Sequence, residues 1–244
     1  MEDNDELRLF LADYLSPHFR VFTARDGDEG LKMAQSNDVM LIISDVMMPR
    51  MDGIEMCHRL KSDVATSHIP VILLTAKNQQ QDFIEGYQSG AEAYIPKPFD
   101  PQALDLQVNN MIQLLKARQD ALLETPVEEE REVPHLNKLD QEFIVRINAY
   151  IDQNICNGDL CVADITSEMN VSRTLLHVKM KSLFNMSISE YINHKRIQYA
   201  CRLMDEGYKV SETAYRSGFS DPNYFSKKFK KFTGKSPTDY IKEH

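Results

Sequence analysis

Three carboxylates, a hydroxyl and an amine punctuate the first hundred residues: Glu2 and Asp3, Asp45, Thr75 and Lys97. Asp45 closes the apolar run Leu41-Ile42-Ile43 and precedes Met48-Pro49 and Asp52-Gly53, which mark a turn. A carboxylate at the carboxyl end of a buried strand lies where open α/β sheets gather their chemistry. Glu2, Asp3 and Asp45 brought together would repel one another, and an oxygen-seeking divalent cation such as Mg²⁺ relieves that repulsion. Thr75 adds a hydroxyl donor and Lys97 a mobile positive charge, the groups needed to hold a phosphoryl group. Singly they read as a loop carboxylate, a strand-end hydroxyl and a surface cation; their joint order makes the site.

These side chains need elements to carry them. Leu7, Phe10, Leu11, Tyr14 and Leu15 recur at helical spacing, which predicts a helix over 5–15. Strands are predicted over 20–24, 39–44, 69–75 and 93–95, and helical segments after Asp26-Gly27 and over 53–61 and 80–89. Pro101 opens a long helix toward Leu122. Alternating strands and helices imply an α/β, doubly wound parallel sheet, so the four polar features fall at one sheet edge.

At 244 residues the chain suits two domains, each able to bury a core. No run reaches the length of a membrane span and no signal peptide precedes the acidic start, so a cytoplasmic protein without membrane contact is expected. Cys57, Cys156, Cys161 and Cys201 lack metal-site spacing and read as reduced thiols. The net charge of -9 is uneven: residues 1–117 sum to -8, residues 118–135 to -4 and residues 136–244 to +3. From residue 171 onward, 14 Lys or Arg face 7 Asp or Glu, so a polyanion is expected to meet that end; a solvated lysine-rich surface is the bland alternative. Residues 118–135, with five Glu, Pro126 and Pro134, read as a solvated linker. The helix leading into it is also long enough to pair with a copy of itself.

The last part reads as all-α. Helices are predicted over 140–154, 162–169, 172–184, 188–204, 210–217, 221–232 and 237–242, with Ser172 and Asp221 as N-caps and Pro222 in a first turn. Two helix-turn-helix units joined by one helix form an internal repeat. Phe225, Phe229 and Phe232 belong to the core by spacing, which turns Asn223, Ser226, Lys227 and Lys230 outward.

Glu2-Asp3-Asn4, Asp45 with Met48-Pro49 and Met51-Asp52-Gly53, Leu74-Thr75-Ala76 and Lys97-Pro98-Phe99 together resemble response-regulator receiver domains over residues 1–117. The resemblance implies a flavodoxin-like fold of strand order 2-1-3-4-5, with Asp45 accepting phosphate from the phosphohistidine of a histidine kinase. It implies Mg²⁺ held by Asp3, Asp45 and the carbonyl of Met47, with Glu2 acting through water. Lys97 would bind the phosphate beside a cis bond to Pro98, and Thr75 and Tyr94 would form a switch pair. Receivers begin with an apolar strand before the acidic pair, whereas Glu2 here directly follows Met1. A sheet without that central strand is expected to split and to leave Glu2 and Asp3 weakly anchored, as in a piece of a larger chain.

Gly218-Phe219-Ser220-Asp221-Pro222-Asn223-Tyr224-Phe225-Ser226-Lys227-Lys228-Phe229-Lys230-Lys231, then Gly234-Lys235-Ser236-Pro237 and Tyr240, resembles the AraC/XylS transcription activators over residues 136–244. That implies two recognition helices entering successive major grooves about 34 Å apart. Asn223 and Lys227 are candidates for base edges, Lys228, Lys230 and Lys231 for phosphates, and Arg173, Thr174, His177 and Lys181 for the first recognition helix. Where family members commonly carry arginine this chain has Val178.

The combined expectation is a non-enzymatic, phosphorylation-controlled DNA-binding regulator, homodimeric when active, resembling the C-terminal end of hybrid two-component sensors. An effector-gated activator fits less well, because such effector domains are β-rich. A phosphatase using Asp45 would need a further acid or a cap domain. A degenerate receiver that dimerises without phosphate is the standing alternative.

Overall fold

The computed structural model describes residues 1–76, 89–124 and 136–243, and the helix expected over 80–89 falls almost wholly outside them. The chain forms two compact units, Met1–Gln141 and Glu142–His244.

The first unit contains α1 (Asp5–Leu15), α2 (Gly27–Ser36), β1 (Ile42–Asp45), α3 (Gly53–Ser62), β2 (Val71–Ala76), β3 (Ala93–Lys97) and α4 (Pro101–Glu124). The strands form a parallel sheet in the order β1-β2-β3, with Asp45 opposite Leu74 and Ala76 opposite Lys97. Residues of β2 alternate between two cores. Val71 and Leu73 pack with Met56, Cys57 and Leu60 of α3, while Ile72 and Leu74 pack with Leu11 of α1 and Leu104 and Val108 of α4. Val71 to Leu74 are completely buried, each contributing about 1.5–3 kcal/mol, and this makes β2 the pillar of the unit. The unit extends to the first turn of the next helix, where the Ser67 hydroxyl donates to Asp140 at 2.8 Å and Asn137 Nδ2 to the Lys61 carbonyl at 3.1 Å.

The strand expected over 20–24 does not form. A strand needs a ladder, and the bond from the Glu2 amide to the Ala24 carbonyl is short of one. The Met1–Glu2 stub is nonetheless seated as the end of a central parallel strand. The Met1 ammonium donates to the Ile43 carbonyl at 2.6 Å, the Asp45 amide to the Met1 carbonyl at 3.0 Å, and the Glu2 amide to the Ala24 carbonyl at 3.1 Å. Beyond the stub a cavity of about 380 Å³ opens among α1, α4 and β1, lined by side chains such as Leu11, Val21, Phe22, Leu41, Ile43 and Val108. The sheet is not split as expected but is a continuous one of three strands, and Glu2 is firmly held.

The second unit is helical: α5 (Lys138–Gln153), which starts within the first unit, then α6 (Val162–Met169), α7 (Arg173–Phe184), α8 (Ile188–Asp205), α9 (Val210–Arg216), α10 (Pro222–Thr233) and α11 (Pro237–Glu243). Its turns follow local chemistry. Asn170 ends α6 in a left-handed conformation, Ser172 accepts the Leu175 amide at 3.1 Å, and Ser187 and Glu190 form a capping box on α8. Gly218, at φ 79°, turns α9 toward α10; a Cβ there would meet the Ile155 carbonyl at 2.5 Å. Phe219, Phe225, Phe229 and Tyr240 pack in succession with tilted or edge-to-face rings at centroid distances of 5.2 to 5.6 Å, and α8 backs both helix-turn-helix units.

Candidate functional site

Asp45 ends β1 and is 8% exposed, held by the ladder on one side and by the Met1 stub on the other. Gly53 is required beside it, because a Cβ would stand 2.1 Å from the Asp45 carbonyl oxygen. Glu2 is 2% exposed and Asp3 is exposed. Carboxylate oxygens of Glu2, Asp3 and Asp45 lie within 4.8 Å of one another. An all-carboxylate set this close is the donor chemistry of a hard divalent cation, so the residues fit Mg²⁺.

Lys97 answers the negative charge from β3. Its ammonium donates to Glu2 Oε2 at 2.8 Å and Asp45 Oδ2 at 2.7 Å. Burial works against that charge, but the two carboxylates outweigh it and hold the ammonium above its ordinary range. Glu2 moves the other way from an ideal ion pair: burial, with the Asp45 charge adding to it, pushes its carboxyl up despite the Lys97 hydrogen bond. The two directions agree on one physical point, that two crowded acids share one cation. Burial also lowers the Met1 ammonium to about 6.

Thr75 is buried at the end of β2 and its hydroxyl donates to the Ala76 carbonyl at 3.4 Å. Tyr94, opposite Leu73 in β3, is half-buried against the α3-side core. The Lys97–Pro98 bond is cis. Met47 is 65% exposed, and its amide approaches Asp45 Oδ1 at 3.4 Å. Sequence reasoning missed Arg8, whose guanidinium donates to the Glu2 and Asp3 carbonyls at 3.0 and 3.5 Å. A lone cation on the helix that follows an acidic pair was the available signal.

In the second unit, Arg173, Thr174, His177 and Lys181 are all exposed along α7, Val178 is half-buried and Lys179 is fully buried. Asn223, Lys227, Lys230 and Lys231 are exposed on α10. Ser226 is a correction: it is half-buried, and its hydroxyl donates to the Pro222 carbonyl at 2.9 Å, the back-bonding that serine readily makes inside a helix. Lys228 is half-buried with its ammonium 5.3 Å from the Tyr224 ring centre, and Lys231 lies 3.5 Å from Glu190.

A parallel sheet with acids and a lysine at its strand ends, followed by a double helix-turn-helix unit, is the architecture of a two-domain signalling regulator. Residues 1–109 match the response regulator receiver domain and residues 165–243 a helix-turn-helix domain, so the chain joins a receiver domain to a helix-turn-helix domain. Histidine kinase P4 of Formosa agariphila is 35% identical over an alignment of 245 positions that covers 98% of this chain; the chain spans 18% of that protein. The transcriptional regulatory protein HptR of Staphylococcus aureus is 28% identical over 229 residues, 93% of this chain and 89% of that one. Among solved structures, the receiver domain of a signal transduction histidine kinase from Syntrophus aciditrophicus is 28% identical with a TM-score of 0.46, covering 54% of this chain and 96% of that one. Among the described residues no helix is long and apolar enough to cross a membrane.

Proposed function

We propose that this chain is a phosphorylation-controlled, sequence-specific DNA-binding transcription regulator whose phosphoacceptor is Asp45. The observation that supports it most is the single ammonium of Lys97 shared between Glu2 and Asp45 within the carboxylate cluster. An Asp45 oxygen attacks the phosphorus of a phosphohistidine on a histidine kinase; the O–P bond forms as the P–N bond breaks, and the imidazole nitrogen keeps the electron pair and takes up a proton. Asp3, Asp45 and the Met47 carbonyl, with Glu2 through water, would hold Mg²⁺, which would supply positive charge to the phosphoryl oxygens. Lys97 then leaves Glu2 for a phosphoryl oxygen, the Thr75 hydroxyl turns from Ala76 toward the phosphate, and the Tyr94 ring moves into the space vacated.

The output is homodimerisation on DNA, in which two weak binders gain affinity through effective concentration. Arg173, Thr174, His177 and Lys181 on α7, and Asn223, Lys227 and Lys230 on α10, supply the DNA contacts, with Lys228 and Lys231 near the phosphates. A DNA target and a histidine kinase donor put the protein in the cytoplasm. The second reading, a receiver that dimerises without phosphate, draws on the unformed 20–24 strand and the cavity beside the Met1 stub. The test is beryllofluoride with Mg²⁺, followed by sedimentation and DNA binding for the wild type and Asp45→Ala. Dimerisation and tighter DNA binding in the wild type alone support the proposal; equal dimerisation of both proteins without beryllofluoride supports the second reading.

A further inference from the structure

The loop 46–53 that leaves β1 is held in shape by residues lying outside the carboxylate cluster. At its base the Gly53 amide donates to the Val46 carbonyl at 2.9 Å. At its far side the Gly27 amide donates to the Met51 carbonyl at 3.0 Å, and the Arg50 guanidinium pairs with Asp26. Arg50 has φ 67°, a left-handed conformation that a non-glycine residue keeps only when its surroundings hold it there. The Asp26 side chain is fully buried, whereas that of Arg50 is 67% exposed, so a surface cation reaches inward to a buried acid.

Capping α2 accounts for only half of Asp26. Its Oδ1 accepts the Glu29 amide at 2.9 Å as an N-cap, while Oδ2 is the atom that meets Arg50. The hydrogen bond from Glu29 first, and Arg50 after it, hold the Asp26 carboxyl below its ordinary range against the effect of burial. Met47 cannot fix its own carbonyl through its side chain, which points into solvent, and its amide contact to Asp45 is long.

We propose that Asp26 and Arg50 are positioning residues for a divalent cation: their ion pair fixes loop 46–53 so that the Met47 carbonyl and the Asp45 carboxylate face the same ion. This rests on the phosphoacceptor reading above. Neither residue touches the cation. The pair acts by restricting the loop, as outer-sphere partners of metal ligands commonly do.

The test is calorimetric titration of the full-length chain with Mg²⁺ alone, alongside thermal melting, for the wild type, Arg50→Gly, Arg50→Lys and Asp26→Asn. Glycine accepts the left-handed conformation without cost and asparagine remains a good N-cap, so both variants keep the fold. The expected result is a roughly tenfold loss of Mg²⁺ affinity in Arg50→Gly and Asp26→Asn, with melting of Arg50→Gly close to the wild type and partial recovery of affinity in Arg50→Lys. Wild-type affinity in both variants overturns the positioning role and leaves Asp45 as phosphoacceptor untouched. Affinity lost only in step with melting temperature marks a structural role and also overturns it. A folded wild type that takes up no Mg²⁺ removes the phosphoacceptor reading, and the positioning role with it.

Discussion

Replacing Lys97 by methionine keeps most of the side chain's length and apolar stem and removes its charge, leaving Glu2 and Asp45 facing each other without a cation. The Glu2 and Asp45 side chains are 3% and 11% exposed and that of Lys97 is 24% exposed. Removing one partner of a deeply buried ion pair costs about 3–5 kcal/mol, and an exposed pair contributes about 0–1 kcal/mol. A pair at this depth lies between them, at roughly 2 kcal/mol, or roughly 6–10 °C of melting temperature in a unit of this size. Mg²⁺ supplies the missing positive charge, so its addition should restore most of the loss: at a hundredfold excess over Kd a ligand adds about 2.7 kcal/mol. The variant should also bind Mg²⁺ more tightly than the wild type, because the ammonium no longer competes for Asp45. Scanning calorimetry of the full chain with and without Mg²⁺ measures both effects, with the transitions of the two units analysed separately. The reasoning fails if Lys97→Met melts like the wild type without Mg²⁺, or if Mg²⁺ raises both proteins by the same amount.

Gly53→Ala should destabilise the first unit by roughly 1–3 kcal/mol or more, read from urea unfolding, since its Cβ would overlap the Asp45 carbonyl at 2.1 Å. The lowered carboxyl of Asp26 gives stability that is present above its unfolded value of about 3.9 and is lost as pH falls through the folded value. Asp26→Asn should therefore flatten the acid limb of the stability curve below about pH 5, as measured by unfolding at stepped pH. Lys230→Ala should weaken binding to all DNA sequences alike and reduce the salt slope by about 1, whereas Asn223→Ala should mainly relax preference at one base position.

The helices were legible because their signals are local. Pro222, Ser172 and Asp221 carry their own boundary chemistry, and α1, α6 and α7 fall within a residue of the spacing-based reading. Asp45 was legible because it closes the apolar run of β1, whereas Glu2 and Asp3 lie in no strand and were assigned to the cluster from their acidity and from the receiver resemblance. The 20–24 segment was not legible, because a strand is a property of its partner and β-rich composition says nothing about whether one is present. Glu2 was expected to be loose, yet long-range bonds to Ala24 and from Arg8 fix it. Asp26 and Arg50 are 24 positions apart, and only the folded loop makes a pair of them. Ser226 failed as an exposed donor for the opposite reason: the bond that consumes its hydroxyl is local, but it competes invisibly with any external partner.

The most direct measurement is mass analysis of the chain after incubation with acetyl phosphate and Mg²⁺, with peptide mapping of the modified residue and Asp45→Ala as control. A single phosphoryl group on Asp45, absent without Mg²⁺ and absent in the variant, is the predicted result. A folded wild type that stays unmodified, or a phosphoryl group that persists in Asp45→Ala, would contradict it.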